Sequence, residues 1–381
     1  MRIVYLYQEL AFWGGADRVI TEKANYLADI CNYEVFMVTT CQNHPIVFPL
    51  SPNVKHIDMG INFYEQYKYP LIKRIFIYLK LIRKYRRELE KLLKSIKPDI
   101  TITTLCKDLD VITSIKDGSF KIAEAHLAKE FVRDLHIYKR KSLPYKIMGK
   151  ILSCRTNRAI KKLDGFVVLS NSDAYNWREI REATVIPNSL PFYPSETSKC
   201  EHKKIISIGR LEEQKGYDML IKAWSIVHHK HLDWEINIFG KGTLKKRLDI
   251  EIEKEGITNS FIIKEPVQNI VEKYIESSFY VMSSRFEGFG MVLIEAMACG
   301  LPVISFDCPD GPSDIISDNE DGILVKNGNI EELAEKICFL IENDEIRRKM
   351  GEAARKNVKR YMPDVVMQEW ILLFKSLNNA K

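Results

Sequence analysis

The sequence predicts an α/β fold built from two doubly wound parallel-sheet domains, and three observations lead there. At 381 residues the chain exceeds the size at which one hydrophobic core stops growing. Short β-branched runs alternate with longer helical patterns from end to end, which is how strand-helix-strand units read. A stretch rich in proline and small polar residues, 187–198, divides the strands into two series.

In the first series the strand candidates are 3–7, 34–40, 99–104, 120–125, 165–169 and 184–186; in the second they are 204–208, 235–239, 261–264, 279–282, 303–306 and 323–325. The domains are accordingly placed at 1–188 and 204–363, joined by a linker at 189–203. The tail from Glu331 to Phe374 is helical by pattern, Pro363 breaks it, and the last helix, 364–381, is expected to pack back on the first domain. Two such domains facing a central cleft would bind ligands at the carboxyl ends of their strands.

Composition is that of an ordinary globular protein, 46% hydrophobic and 28% charged. No apolar run approaches the roughly 20 residues needed to span a bilayer, and the first residues turn polar too soon for a signal peptide. Eight scattered cysteines, none in a C-x-x-C pair, read as reduced thiols, so a cytoplasmic location is expected. The net charge of +6 is unevenly spread. Residues 1–190 hold 31 Lys and Arg against 20 Asp and Glu, and the remainder holds 26 against 31. Much of the excess lies in a basic amphipathic helical pattern from Pro70 to Pro98 and in a second basic stretch from Lys139 to Lys162. Both suit either a solvated helix face or the anionic inner face of a membrane. No motif for binding nucleic acid accompanies the charge.

The most informative stretch runs from Arg285 to Gly300. An apolar strand leads into a glycine-rich bend, Glu287-Gly288-Phe289-Gly290, which opens a helix whose only charged residue is Glu295. A helix apolar on every side is expected to be buried, so Glu295 needs a partner: ligand hydroxyls, or an internal ion pair for which Arg285 is available. Gly288 and Gly290 allow close backbone approach, and the free NH groups at the helix start suit a phosphate. Glu287 would flank that ligand from the loop.

Other strand ends carry matching loops. Gly14 and Gly15 separate the first strand from its helix, without the G-x-G-x-x-G spacing of dinucleotide sites. Arg210 and Lys215 share one loop after strand 204–208, where a planar fork and a point charge could meet one phosphate. Gly240-Lys241-Gly242 follows another strand, and His126 lies just past strand 120–125. Asp108-Leu109-Asp110 has the spacing of a metal-binding acid pair but reads as a helix start.

Taken together, Gly14 to Arg18, Gly209-Arg210 with Lys215-Gly216, Gly240 to Gly242, and Glu287 to Glu295 with Gly300-Leu301-Pro302-Val303 resemble the bacterial retaining glycosyltransferases of family 4. The resemblance covers nearly the whole chain and implies the GT-B architecture. It implies that Glu295 holds the ribose hydroxyls of a nucleotide sugar, with UDP the expected nucleotide. Glu287 would bond the transferred sugar, with the backbone NH groups of Phe289, Gly290, Met291 and Val292 near sugar and phosphate. Arg210 and Lys215 would neutralise the diphosphate, Gly14 and Gly15 would give donor and acceptor room, and His126 would contact the donor sugar. The loop Cys308 to Asp314 resembles that of relatives that build surface polysaccharides. The expected reaction moves a hexose or N-acetylhexosamine to a lipid-linked or polysaccharide acceptor, with no metal and no cofactor. Alternatives are a sugar-nucleotide epimerase, a phosphorylase carrying pyridoxal phosphate, and a non-catalytic nucleotide-sugar-binding protein.

Overall fold

The computed structural model describes residues 1–12, 14–134 and 143–379; the start of the second basic stretch, Lys139 to Lys141, lies outside them. The chain divides into two compact units. The first comprises residues 1–169, 173–186 and 367–381, and the second residues 170–172 and 187–366.

The first unit is built on a seven-stranded parallel sheet in the order β3-β2-β1-β4-β5-β6-β7. Its strands are β1 (Arg2–Tyr7), β2 (Glu34–Thr39), β3 (Val54–Asp58), β4 (Ile100–Thr104), β5 (Phe120–Glu124), β6 (Gly165–Val168) and β7 (Thr184–Val185). Its main helices are α1 (Gly15–Asp29), α2 (Leu71–Ile96), α3 (Asp108–Ile112) and α4 (Leu143–Ile160). β4, Ile-Thr-Ile-Thr-Thr, is buried along its whole length, as a central parallel strand covered on both faces must be. β3 is absent from the strands expected from sequence. It is an edge strand exposing Lys55 and His56, so it offers no apolar run to read.

α2 changes character along its length. Tyr85, Leu89, Leu93 and Ile96 join the core of the first unit, while Ile75, Phe76 and Leu79 in the first turns are exposed.

The second unit carries a six-stranded parallel sheet in the order β10-β9-β8-β11-β12-β13. The strands are β8 (Lys204–Ile208), β9 (Glu235–Phe239), β10 (Phe261–Lys264), β11 (Phe279–Met282), β12 (Val303–Asp307) and β13 (Gly322–Lys326). The helices that matter below are α5 (Tyr217–His228), α6 (Ile270–Ile275), α7 (Met291–Ala298) and α8 (Ile330–Glu342). The helical tail continues through 344–357 to a last helix, α9 (Pro363–Asn379).

The proline-rich segment is pinned to the second unit and not loose. Leu190 NH donates to Tyr361 O at 2.7 Å, Ser198 NH to Cys299 O at 2.9 Å, and the Arg355 guanidinium lies 3.2 Å from the centre of the Tyr193 ring.

Candidate active site

In each sheet the strand order reverses beside one strand, β1 in the first and β8 in the second. Doubly wound sheets bind ligands at that reversal, outside the carboxyl ends of the two strands flanking it. In the second unit those strands are β8 and β11, and the loops leaving them carry Arg210, Lys215, Glu287 and the start of α7.

These loops are tied together. Lys215 Nζ donates to Glu287 Oε1 at 2.6 Å, and Ser284 Oγ donates to the same oxygen at 2.6 Å. Glu287 is buried and Lys215 nearly so, which makes this a shielded pair and not a solvated surface contact. Arg210 is exposed; its guanidinium donates to Gln214 Oε1 at 3.2 Å, and Gln214 Nε2 donates to Phe286 O at 3.0 Å. Lys215 and Glu287 are thus brought together, and Arg210 reaches the bend only through Gln214.

The backbone shows why glycines stand here. Gly240 follows β9 so closely that a Cβ would lie 1.9 Å from Gly209 O. Gly290 takes φ of 101° at the start of α7, a left-handed conformation that other residues avoid. Along α7, Leu293 NH donates to Gly290 O at 2.9 Å. Phe289 is buried with its ring edge-on to Tyr361, and Glu287 NH is held by Pro309 O at 3.1 Å, so the loop Cys308 to Asp314 braces the bend.

Glu295 stands in the second turn of α7, and Tyr274 of α6 donates its hydroxyl to Oε2 at 3.1 Å. Burial, reinforced by Glu295, pushes the Tyr274 hydroxyl well above its ordinary range, so it stays a donor. The sequence overstated the burial of this helix: Met291, Val292 and Glu295 are half-buried. Nor is Arg285 the partner of Glu295, because its guanidinium is engaged bidentately by Asp218 at 2.9 and 2.6 Å. Tyr274, Ser284, Gln214 and Asp218 escaped sequence reasoning. Nothing in their spacing marks them, since each comes from a different element.

In the first unit Gly14 caps α1 and Gly15 is its first residue. Gly14 has an extended φ of −132°, and no atom lies within 4 Å of where a side chain would begin, so the glycine leaves open space beside the strand end. Asp17 is buried, accepting from the Tyr7 hydroxyl at 2.7 Å and from Phe12 NH at 2.8 Å. His126 follows Glu124, the last residue of β5, and its Nε2 lies 3.0 Å from Glu124 Oε1. The contact is short but off the angle of a hydrogen bond, and both ring nitrogens are buried without an aligned partner. Glu124 Oε2 accepts from Lys23 of α1.

Asp108 and Asp110 open α3. Tyr85 donates to Asp108 at 2.5 Å, and Arg155 lies 3.4 Å from Asp110. Among the described residues, the potential metal ligands that come together are elsewhere: His231 after α5, with Cys338 and Glu342 on α8, have donor atoms within 4.8 Å of one another.

Two doubly wound parallel-sheet units are the GT-B architecture, and the relatives the chain matches make the protein a glycosyltransferase. Residues 193–357, most of the second unit, match the model of the family glycosyl transferases group 1. The chain is 29% identical to an uncharacterized glycosyltransferase of Haemophilus influenzae over 97% of this chain and 98% of that one. It is 25% identical, over 96% of each chain, to a Campylobacter jejuni enzyme named as an α-1,4-N-acetyl-D-galactosaminyltransferase acting on a diphospho-undecaprenol-linked saccharide. Its fold matches Staphylococcus aureus TarM, solved with fondaparinux, α-GlcNAc-glycerol and UDP, with a TM-score of 0.78 at 16% identity, covering 98% of this chain and 99% of that one. The expectations of fold and of enzyme class are both borne out.

Proposed function

We propose that the protein transfers a hexose or N-acetylhexosamine from a UDP-sugar to a lipid-linked or surface-polysaccharide acceptor, with retention at the anomeric carbon and without a metal. The observation that carries this is the shielded Lys215–Glu287 pair beside the start of α7, four residues from that helix's single acid.

Breaking the anomeric bond puts charge on the departing diphosphate. Lys215 and Arg210 stand in the loop after β8, and the NH groups of Phe289 to Val292 at the start of α7, so positive groups come from two neighbouring strand ends where they would stabilise developing charge. Glu287, already held by Lys215 and Ser284, bonds the transferred sugar, and Glu295, held by Tyr274, takes the ribose hydroxyls. In the first unit, the open side of Gly14, with Gly15 beside it, and the imidazole of His126 serve donor and acceptor. Attack from the face the diphosphate leaves, with that phosphate accepting the acceptor's proton, accounts for retention.

The acceptor reading draws on the lipid-linked substrate named for the Campylobacter relative and on α2. Ile75, Phe76 and Leu79 are exposed beside Lys73, Arg74 and Lys80, and on α4 Ile147, Met148 and Ile151 are exposed as well. Apolar side chains among lysines suit an anionic membrane surface. No helix among the described residues is long and apolar enough to cross a membrane.

The test is a thermal-shift screen of nucleotide sugars, followed by transfer assays on lipid-linked and free saccharides with and without chelator. Glu295→Ala is expected to weaken binding of every UDP-sugar, and unchanged affinity sinks the ribose assignment. Loss of transfer in chelator sinks the metal-free reading.

A further inference from the structure

Charged side chains are almost never fully buried unless paired, yet Lys23 and Glu124 form a buried pair at the carboxyl edge of the first sheet. Lys23 Nζ also sits 3.9 Å from the centre of the Trp370 ring, on α9, so an indole roofs the ammonium. Such a pair is a weak source of stability, since well-packed apolar side chains serve a fold as well or better. Its second carboxylate oxygen points to another use, because Glu124 Oε1 lies 3.0 Å from His126 Nε2.

We propose that Glu124 is a positioning residue for His126, and that Lys23 under Trp370 keeps Glu124 an anion. The proposal rests on the reading that His126 contacts the transferred sugar.

A carboxylate repels a lone pair and attracts an N–H, so at 3.0 Å the ring nitrogen facing it is the one that carries the proton, even short of full alignment. That fixes the neutral imidazole with hydrogen on Nε2 and leaves the lone pair on Nδ1. Other polar atoms nearby also wait for partners. The Tyr5 hydroxyl, close enough for Glu124 to raise its pKa, and Thr104 Oγ1, on the residue paired with Glu124 across β4 and β5, are buried without hydrogen bonds. Unpaired polar atoms gathered at one strand end are uncommon in folded proteins and are expected where a ligand or ordered water completes them.

Two measurements test the proposal. In the first, transfer from UDP-N-acetylglucosamine and UDP-glucose is followed for the wild type, Glu124→Gln, His126→Ala and the double variant. Glu124→Gln is expected to lower kcat on the order of tenfold to a hundredfold, as a misplaced group does, while the donor KM hardly moves. The double variant should be no slower than His126→Ala alone, because Glu124 acts through the imidazole. Glu124→Asp, which keeps the charge but draws it back, should fall between wild type and Glu124→Gln. Losses that multiply, or a Glu124→Gln enzyme as fast as wild type, overturn the positioning role; a His126→Ala enzyme at full rate overturns instead the reading of His126. The second measurement needs no turnover. Imidazole nitrogen NMR at alkaline pH, with His126 assigned by its loss in His126→Gln, should show the Nε2–H tautomer in the wild type and a mixture in Glu124→Gln. Identical tautomers in the two proteins overturn the proposal whatever the rates.

Discussion

At the scale of single residues, paired charges set the most sensitive positions. Burial by itself would raise the Glu124 carboxyl, but Lys23 and His126 outweigh it and hold the group down to about 2, against 4.5 when unperturbed. A carboxyl lowered on folding stabilises the native state above its unfolded pKa and loses that contribution as pH falls toward its folded one. Between roughly pH 4.5 and 2 the wild type should therefore lose stability more steeply than Glu124→Gln, as urea unfolding at a series of pH values would show. Glu124→Ala, which strands Lys23 in the core, should cost about 3–5 kcal/mol at neutral pH in the same assay. At the other site, Lys215→Ala should lower kcat by about 100- to 1,000-fold, the usual loss for one fixed donor to developing charge. A raised KM with kcat unchanged would mean that Lys215 only helps binding. The cysteines divide by exposure: burial pushes the Cys299 thiol up to about 12 and that of Cys200 up to about 11, whereas Cys154 is exposed. Mass mapping after brief alkylation of the native protein should find Cys154 labelled first and Cys200 and Cys299 protected.

At the scale of elements, the site depends on loops that touch. A methyl at residue 240 would strike the carbonyl of Gly209, so Gly240→Ala should displace the loop carrying Arg210 and Lys215. The expected cost is about 1–3 kcal/mol, with weakened donor binding in titration calorimetry. The motif-bearing loops were legible in the sequence because glycines and charges at strand ends have few other uses. Lys215 and Glu287 stand in the loops after β8 and β11, and Glu295 on the helix that follows, as that reading expected of their placement. What it missed depended on partners distant in the chain. Tyr274 reaches Glu295 from α6, and Asp218 takes the Arg285 that looked free for Glu295. Edge strand β3 escaped because exposed polar residues interrupt its pattern, while the core strands declared themselves through unbroken β-branched runs. Glu124 and Lys23 are silent in sequence, since an acid and a lysine 101 residues apart announce nothing until a sheet and a helix meet.

For the molecule as a whole, charge and apolar surface gather in the first unit. If the bare turns of α2 meet a bilayer, Phe76→Glu should weaken sedimentation with vesicles rich in anionic lipid. The thermal midpoint should not move, because that side chain is exposed. Raised salt should weaken binding of the wild type as well. The composition of the first unit carries a consequence for biogenesis. Its last helical piece, within α9 from Met367 to Asn379, is made after the entire second unit has been synthesised. A nascent chain on the ribosome therefore holds an unroofed Lys23 ammonium until Trp370 emerges, and the unit that is begun first is completed only after the other has been made.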